Sequence, residues 1–196
     1  MEARLTPRRL VSLAAIVATV ALTSACGGGQ GASAAKAPPL VRYKNGYLVF
    51  RHPAAWKPYP FRWSGTLHFQ PMLYVSTQPV QDPCETSGNA TRCNWPVQRL
   101  QPDGVLIAWE NRGFPGWNLQ TQPGTSTRIG GRPAKRLTTA GGACRAIGAD
   151  QTTELAIASP LKDNWTEVTA CVRGPHLAAN ERRLDALLAS TQFLAS

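Results

Sequence analysis

A chain of 196 residues with 21 basic and 11 acidic side chains, net charge +10, leaves room for one ordinary domain after any leader. Its longest apolar run is 13 residues, Leu10 to Leu22, which is too short for a spanning helix of about 20 residues. There is no internal repeat and no later apolar stretch able to cross a membrane.

Residues 1–25 divide into three parts. Arg4, Arg8 and Arg9 stand against a single acid, Glu2; the uncharged run LVSLAAIVATVAL follows; small residues Thr23, Ser24 and Ala25 close it. A basic start, an apolar centre and a small-residue end define an export signal. Pro7 precedes the Arg8-Arg9 pair and the rest of a twin-arginine motif is absent, so the pair reads as a plain basic start. The next residue is Cys26, in L-T-S-A-C, which resembles the lipobox of bacterial lipoproteins. That resemblance implies a thioether to diacylglycerol on Cys26 and a palmitate-bearing anchor on the extracytoplasmic face of the cell membrane. Ordinary cleavage after Ala25, leaving a free thiol, is the alternative. Loss of residues 1–25 takes the basic count from 21 to 18 and the acidic count from 11 to 10. Residues 26–39 (CGGGQGASAAKAPP) form a lipidated cysteine and a tether without apolar periodicity, spanning on the order of 20 Å. Residues 40–196 make a single domain.

Strands dominate that domain. Tyr47–His52, Met72–Thr77, Val105–Glu110, Arg132–Thr139, Thr152–Ala158 and Thr166–Val172 are short, rich in strand formers and bounded by turn signals such as Pro102-Asp103-Gly104 and Gly130-Gly131. Period-two alternation indicates half-buried, mostly antiparallel strands. Leu177–Ala189 instead carries leucines at helical spacing behind Pro175, with Asn180 as a later cap. A short helix is expected at Trp95–Leu100. The fold class is therefore α+β, a twisted antiparallel sheet packed with at least one C-terminal helix.

With Cys26 assigned to lipid, Cys84, Cys93, Cys144 and Cys171 remain, an even number in an exported chain. Two disulfides are expected. Of the three possible pairings, Cys84–Cys93 closes a turn-rich loop and Cys144–Cys171 ties the strand near Val168–Val172 to Gly141-Gly142. Neither C-x-x-C nor paired-histidine spacing occurs, which argues against zinc.

The order Y-x-x-F-x-x-P-x-x-W at 47–56, I-G-G-R-P-A at 129–134, A-C-V-x-G-P at 170–175 and S-T-Q-F at 190–193 resembles the PsbP-like superfamily, in particular the LpqN-type bacterial lipoproteins. The resemblance covers most of residues 43–193. It implies a twisted antiparallel sheet between helices and a binding or accessory role, with no catalytic residues to carry over.

Residue patterns for catalysis are absent. His52, His68 and His176 lack a recognisable nucleophile partner, no G-x-S-x-G occurs, and the acids are expected mostly in turns or on the polar helix face. No cofactor motif is present. Two features point to binding instead. Acid-free stretches from Glu2 to Asp82 and from Glu110 to Asp150 contain many arginines and lysines, Arg132 and Arg136 among them, and predict a basic face for anionic lipid or envelope polymer. The export signal disfavours nucleic acid. The second is Trp56-Lys57-Pro58-Tyr59-Pro60-Phe61-Arg62-Trp63, whose prolines confine it to a loop or edge strand. Its aromatics Trp56, Tyr59, Phe61 and Trp63 either contact a ligand or fold inward as lids on the core. Trp109 and Trp165 are expected in the core. The chain is thus expected to be a tethered, non-catalytic binding or accessory protein for an anionic or amphipathic envelope component. A subunit working through an envelope protein partner and an envelope hydrolase are the alternatives.

Overall fold

The computed structural model describes residues 39–61, 69–88 and 90–194. In chain order the strands are β1 (Leu40–Lys44), β2 (Leu48–Pro53), β3 (Lys57–Pro60), β4 (Phe69–Ser76), β5 (Cys84–Ser87), β6 (Ala90–Cys93), β7 (Val105–Gly113), β8 (Thr125–Ile129), β9 (Arg132–Ala140), β10 (Gln151–Ala158), β11 (Asn164–Val172) and β12 (Gln192–Phe193). One helix, α1 (Leu177–Ala189), lies between β11 and β12. Seven strands form an antiparallel sheet in the order β3-β4-β7-β11-β10-β9-β8. A three-stranded sheet, β1-β2-β12, and the β5–β6 hairpin complete the described structure.

Alternation along the central strands decides what each face of the large sheet covers. Val105, Ile107 and Trp109 of β7 and Val168, Ala170 and Val172 of β11 point to one side. There they meet Leu48 and Phe50 of β2 and Leu184, Leu187 and Leu188 of α1 in the main core. The intervening residues Leu106, Ala108 and Cys171 point to the other side and join Tyr74, Val97, Leu100, Cys144 and Ile147 in a second cluster. The sheet is thus the middle layer, with helix and small sheet on one face and irregular segments on part of the other.

Local chemistry explains the joints. The β8–β9 hairpin turns through Gly130 and Gly131, with φ of 56° and 80°. That left-handed pair suits a two-residue turn matching strand twist. A Cβ on Gly130 would also lie 2.7 Å from the Phe193 ring. The prolines of β3 fall on an edge strand that pairs only with β4, as Pro58 and Pro60 require.

The α1 bounds match the expected helix, and the six expected strands are all present with ends moved by up to three residues. Two local expectations are corrected. Trp95–Leu100 is not helical. Pro96 lacks an N–H, Val97 and Leu100 are drawn into the second cluster, and the Leu100 N–H donates to the Ile147 carbonyl at 2.8 Å. Asn180 lies inside α1 and is buried; its side chain accepts from Arg183 Nη1 at 2.8 Å, while His176 takes the cap position.

Both expected disulfides are present, Cys84–Cys93 and Cys144–Cys171. The first joins directly opposed residues of the β5–β6 hairpin. The second is fully buried and fastens the 3-10 turn Gly142–Ile147 to β11. Replacing Cys144 and Cys171 together by alanine is expected to lower unfolding free energy in urea by about 3.5 kcal/mol. The Cys84/Cys93 double alanine variant, which opens a shorter and more peripheral loop, is expected to lose less.

Candidate functional site

Beyond Ala108 the second face of the sheet stops being apolar. The same alternation that places Leu106 and Ala108 there next presents Glu110 and Arg112 on β7; β11 presents Glu167 and Trp165, and β10 presents Glu154. Antiparallel register sets Glu110 directly opposite Glu167 and Trp165 opposite Arg112. Two like charges opposed across a ladder repel. The Arg112 guanidinium lies between them, with Nη2 donating to Glu110 Oε2 at 2.7 Å and Nε 3.0 Å from Glu167 Oε2. Trp165 Nε1 donates to the same Glu167 oxygen at 3.4 Å.

Burial raises the Glu110 carboxyl above its ordinary 4.5; Arg112 pulls it back and Glu167 adds to the rise. Burial, then the charge of Glu167, also lifts Glu154, against Arg112. Tyr74 is 5% exposed, and its phenol is pushed well above its ordinary value by burial and then by Glu110 and Asp82. The Tyr74 hydroxyl, the Glu154 carboxylate and the Lys135 ammonium make no hydrogen bond or ion pair with another described residue.

These groups line neighbouring hollows. A cavity of about 550 Å³ is bounded by Tyr74, Trp95, Glu110, Arg112, Glu154 and Glu167, within the roughly 300–1,000 Å³ typical of small-molecule sites. Glu154 and Glu167 also line a neighbouring cavity of about 220 Å³ with Lys135, Trp117 and Trp165. Arg112 and Trp165 reappear in a polar hollow of about 350 Å³ with Asn111 and Asn164. The three hollows adjoin through shared lining residues along the exposed half of the sheet, and together are termed the groove. Among the described residues no group of three His, Cys, Asp or Glu side chains is placed to hold a metal ion.

The residues singled out from sequence fall elsewhere. Trp56 is 2% exposed and belongs to the main core, which removes it from ligand contact. Tyr59 and Phe61 are half-buried against the second cluster. Trp63 and His68 lie outside the described residues, as does Cys26. Arg136 is bound to α1, with Nη2 3.3 Å from Glu181 Oε1 and Nη1 2.5 Å from Asp185 Oδ1. Arg132 covers the Phe193 ring, its guanidinium carbon 4.0 Å from the centroid. Both arginines therefore fasten the C-terminal elements to β9. The buried His52 donates from Nδ1 to the Pro53 carbonyl at 2.9 Å. His176 Nδ1 is 3.0 Å from Asp103 Oδ1 at the exposed start of α1.

Glu110, Glu154 and Glu167 lie in strands, as the expected strand bounds placed them, and are the exceptions among acids expected mostly in turns or on the helix. Trp165, expected in the core, is half-buried at the groove. The alternation of T-E-L and T-E-V held a usable signal, since it sets each glutamate on the face opposite its leucine or valine. What was missing was strand order and register. Neither a protein-family model nor a curated protein sequence matches the chain significantly.

Because folding raises the pH at which Glu110 ionises, its burial costs nothing while the carboxyl is protonated in both states. The cost grows as pH climbs above about 4.5. Glu110→Gln is therefore expected to melt near wild type at about pH 4 and above wild type at about pH 7. Paired thermal melts across that range check the sign.

Proposed function

We propose that the chain is exported, cut before Cys26 and lipid-anchored at the outer face of a membrane. There its domain acts as a non-catalytic binding protein for an amphipathic envelope component. The observation that carries the binding half is the groove centred on Arg112, where apolar sheet face, half-buried indoles and charged tips adjoin. A concave, mainly preformed site with a few convergent polar groups is the usual form of a small-molecule site. The two arginines behind the anionic half of the sequence expectation are engaged with α1 and Phe193, so the groove favours the amphipathic half.

Other observations support the address. Two disulfides suit an oxidising compartment outside the cytoplasm. The leader and the Cys26 context supply the anchor, and the Gly-rich tether sets the domain off the bilayer. The proposed kinship with the PsbP-like superfamily, LpqN-type lipoproteins in particular, is in keeping with an antiparallel sheet whose A-C-V-x-G-P strand end leads into a closing helix. The contacts of His52 and His176 are accounted for within the fold, which favours binding over hydrolysis.

Intact-mass measurement of the membrane-extracted protein is expected to show a chain beginning at Cys26 and carrying diacylglycerol. Cys26→Ser is expected to move the protein from the membrane to the soluble fraction. A bare thiol in the wild type, or an unprocessed leader, contradicts the anchor. Solvent extraction of purified wild type should release one amphipathic species that Arg112→Met no longer retains.

A further inference from the structure

The groove's chemistry narrows its occupant. Trp117 and Trp165 stack with ring centroids 4.7 Å apart and planes 5° from parallel, and both remain half-exposed beside the smaller cavity. The loop carrying Trp117 is held in place: Gly116 N–H donates to Asp163 Oδ1 at 3.2 Å and Trp117 N–H to the Phe114 carbonyl at 3.1 Å. Trp165 is fixed by its strand and by Glu167. The indoles are therefore a preset apolar platform, ordered before any ligand arrives.

Polar groups with unused capacity surround the platform. Lys135 and Glu154 border the same cavity as the indoles, and neither is spent on another described residue. Further along, Tyr74 is 95% buried by area yet brings an unbonded hydroxyl to the larger cavity. A hydroxyl that no side chain engages at a cavity wall is free to bond a ligand. Donors and acceptors are thus spaced along the groove rather than gathered at one point.

Charge excludes the stronger ions. Glu110, Glu154 and Glu167 face Arg112 and Lys135, which leaves the groove close to neutral. An anion meets three carboxylates. A cation meets Lys135 and Arg112, and Arg112 already bridges two of the three carboxylates. A neutral ligand rich in hydroxyls meets neither obstacle, and the C–H face of a sugar ring matches an indole surface while its hydroxyls bond carboxylate, ammonium and phenol.

We propose, resting on the reading of this groove as a binding site, that its occupant is a neutral saccharide moiety. A sugar ring packs on the Trp117–Trp165 pair, and hydroxyls along the chain bond Lys135, Glu154 and Tyr74. On a glycolipid this moiety is the head group, and the test distinguishes it from the lipid part.

The experiment uses the full-length mature protein in nanodiscs against an array of neutral and charged oligosaccharides of one to six units, followed by titration with tryptophan fluorescence as readout. Binding to neutral members with a change in indole emission is expected. Trp117→Ala is expected to weaken it about fivefold, the loss of one stacking surface. Glu154→Ala weakens it as well, while Glu154→Gln, which still bonds hydroxyls, stays within about twofold of wild type. The Glu154 pair keeps the test decisive should Trp117→Ala unfold. Binding confined to charged sugars, or unaffected by both Trp117→Ala and Glu154→Ala, overturns the proposal. Dodecylphosphocholine, an amphiphile without sugar, separates the two levels. If it binds in the groove and no neutral saccharide does, the saccharide assignment fails and the amphipathic groove stands. If neither binds, both readings fall.

Discussion

Strands β7 and β11 lie side by side at the centre of the large sheet, paired from Val105 opposite Val172 to Gly113 opposite Asn164. Every other feature of the described domain hangs on that register. Because side chains alternate with period two, one alignment sets Val105, Ile107, Trp109, Val168, Ala170 and Val172 against α1 and the small sheet. The same alignment puts Leu106, Ala108, Glu110, Arg112, Cys171 and Glu167 on the opposite face. A slip by one residue would expose the core and bury the charges, so hydrophobic burial on one side holds the groove in place on the other.

The second face then changes character along its length. At one end the Cys144–Cys171 bond and Val97, Leu100 and Ile147 close it as ordinary core. At the other no apolar layer of described residues covers it, and Arg112 has to reconcile two carboxylates that register forces together. That arrangement stores cost. Burial holds Glu110 and Glu154 toward their protonated forms. Packed apolar residues would serve stability better. Groups whose ionisation is disfavoured in a hollow are the feature on which the proposed binding role rests.

Much of the fold was legible in the sequence because the long strands alternate cleanly and α1 carries its leucines at helical spacing behind a proline. The disulfide pairing was one of three that the sequence left open; the favoured one, with its short turn-rich loop and its tie from β11 to Gly141-Gly142, is the one present. Short strands such as β8 (TSTRI) and β12 (QF) escaped notice, since they are too polar or too brief to show a period. The site was harder. Arg136 reads as unopposed in a stretch without acids, yet Glu181 and Asp185 reach it from a helix more than forty residues later. Trp56 sits in an aromatic, proline-rich segment and still folds into the core. The groove itself is assembled from β4, β7, β9, β10, β11, the segment bearing Trp95 and the loop that bears Trp117, which only strand order brings together.

The balance at Arg112 is the hinge of this account, and it is directly measurable. Carboxyl-carbon NMR titration of Glu110, in wild type and in Arg112→Met, reads the environment of that buried acid. The account predicts a wild-type midpoint above 4.5 that climbs further once the guanidinium is gone. An ordinary midpoint in both proteins would mean that Glu110 is solvated and unpaired, and that the groove is not built as described.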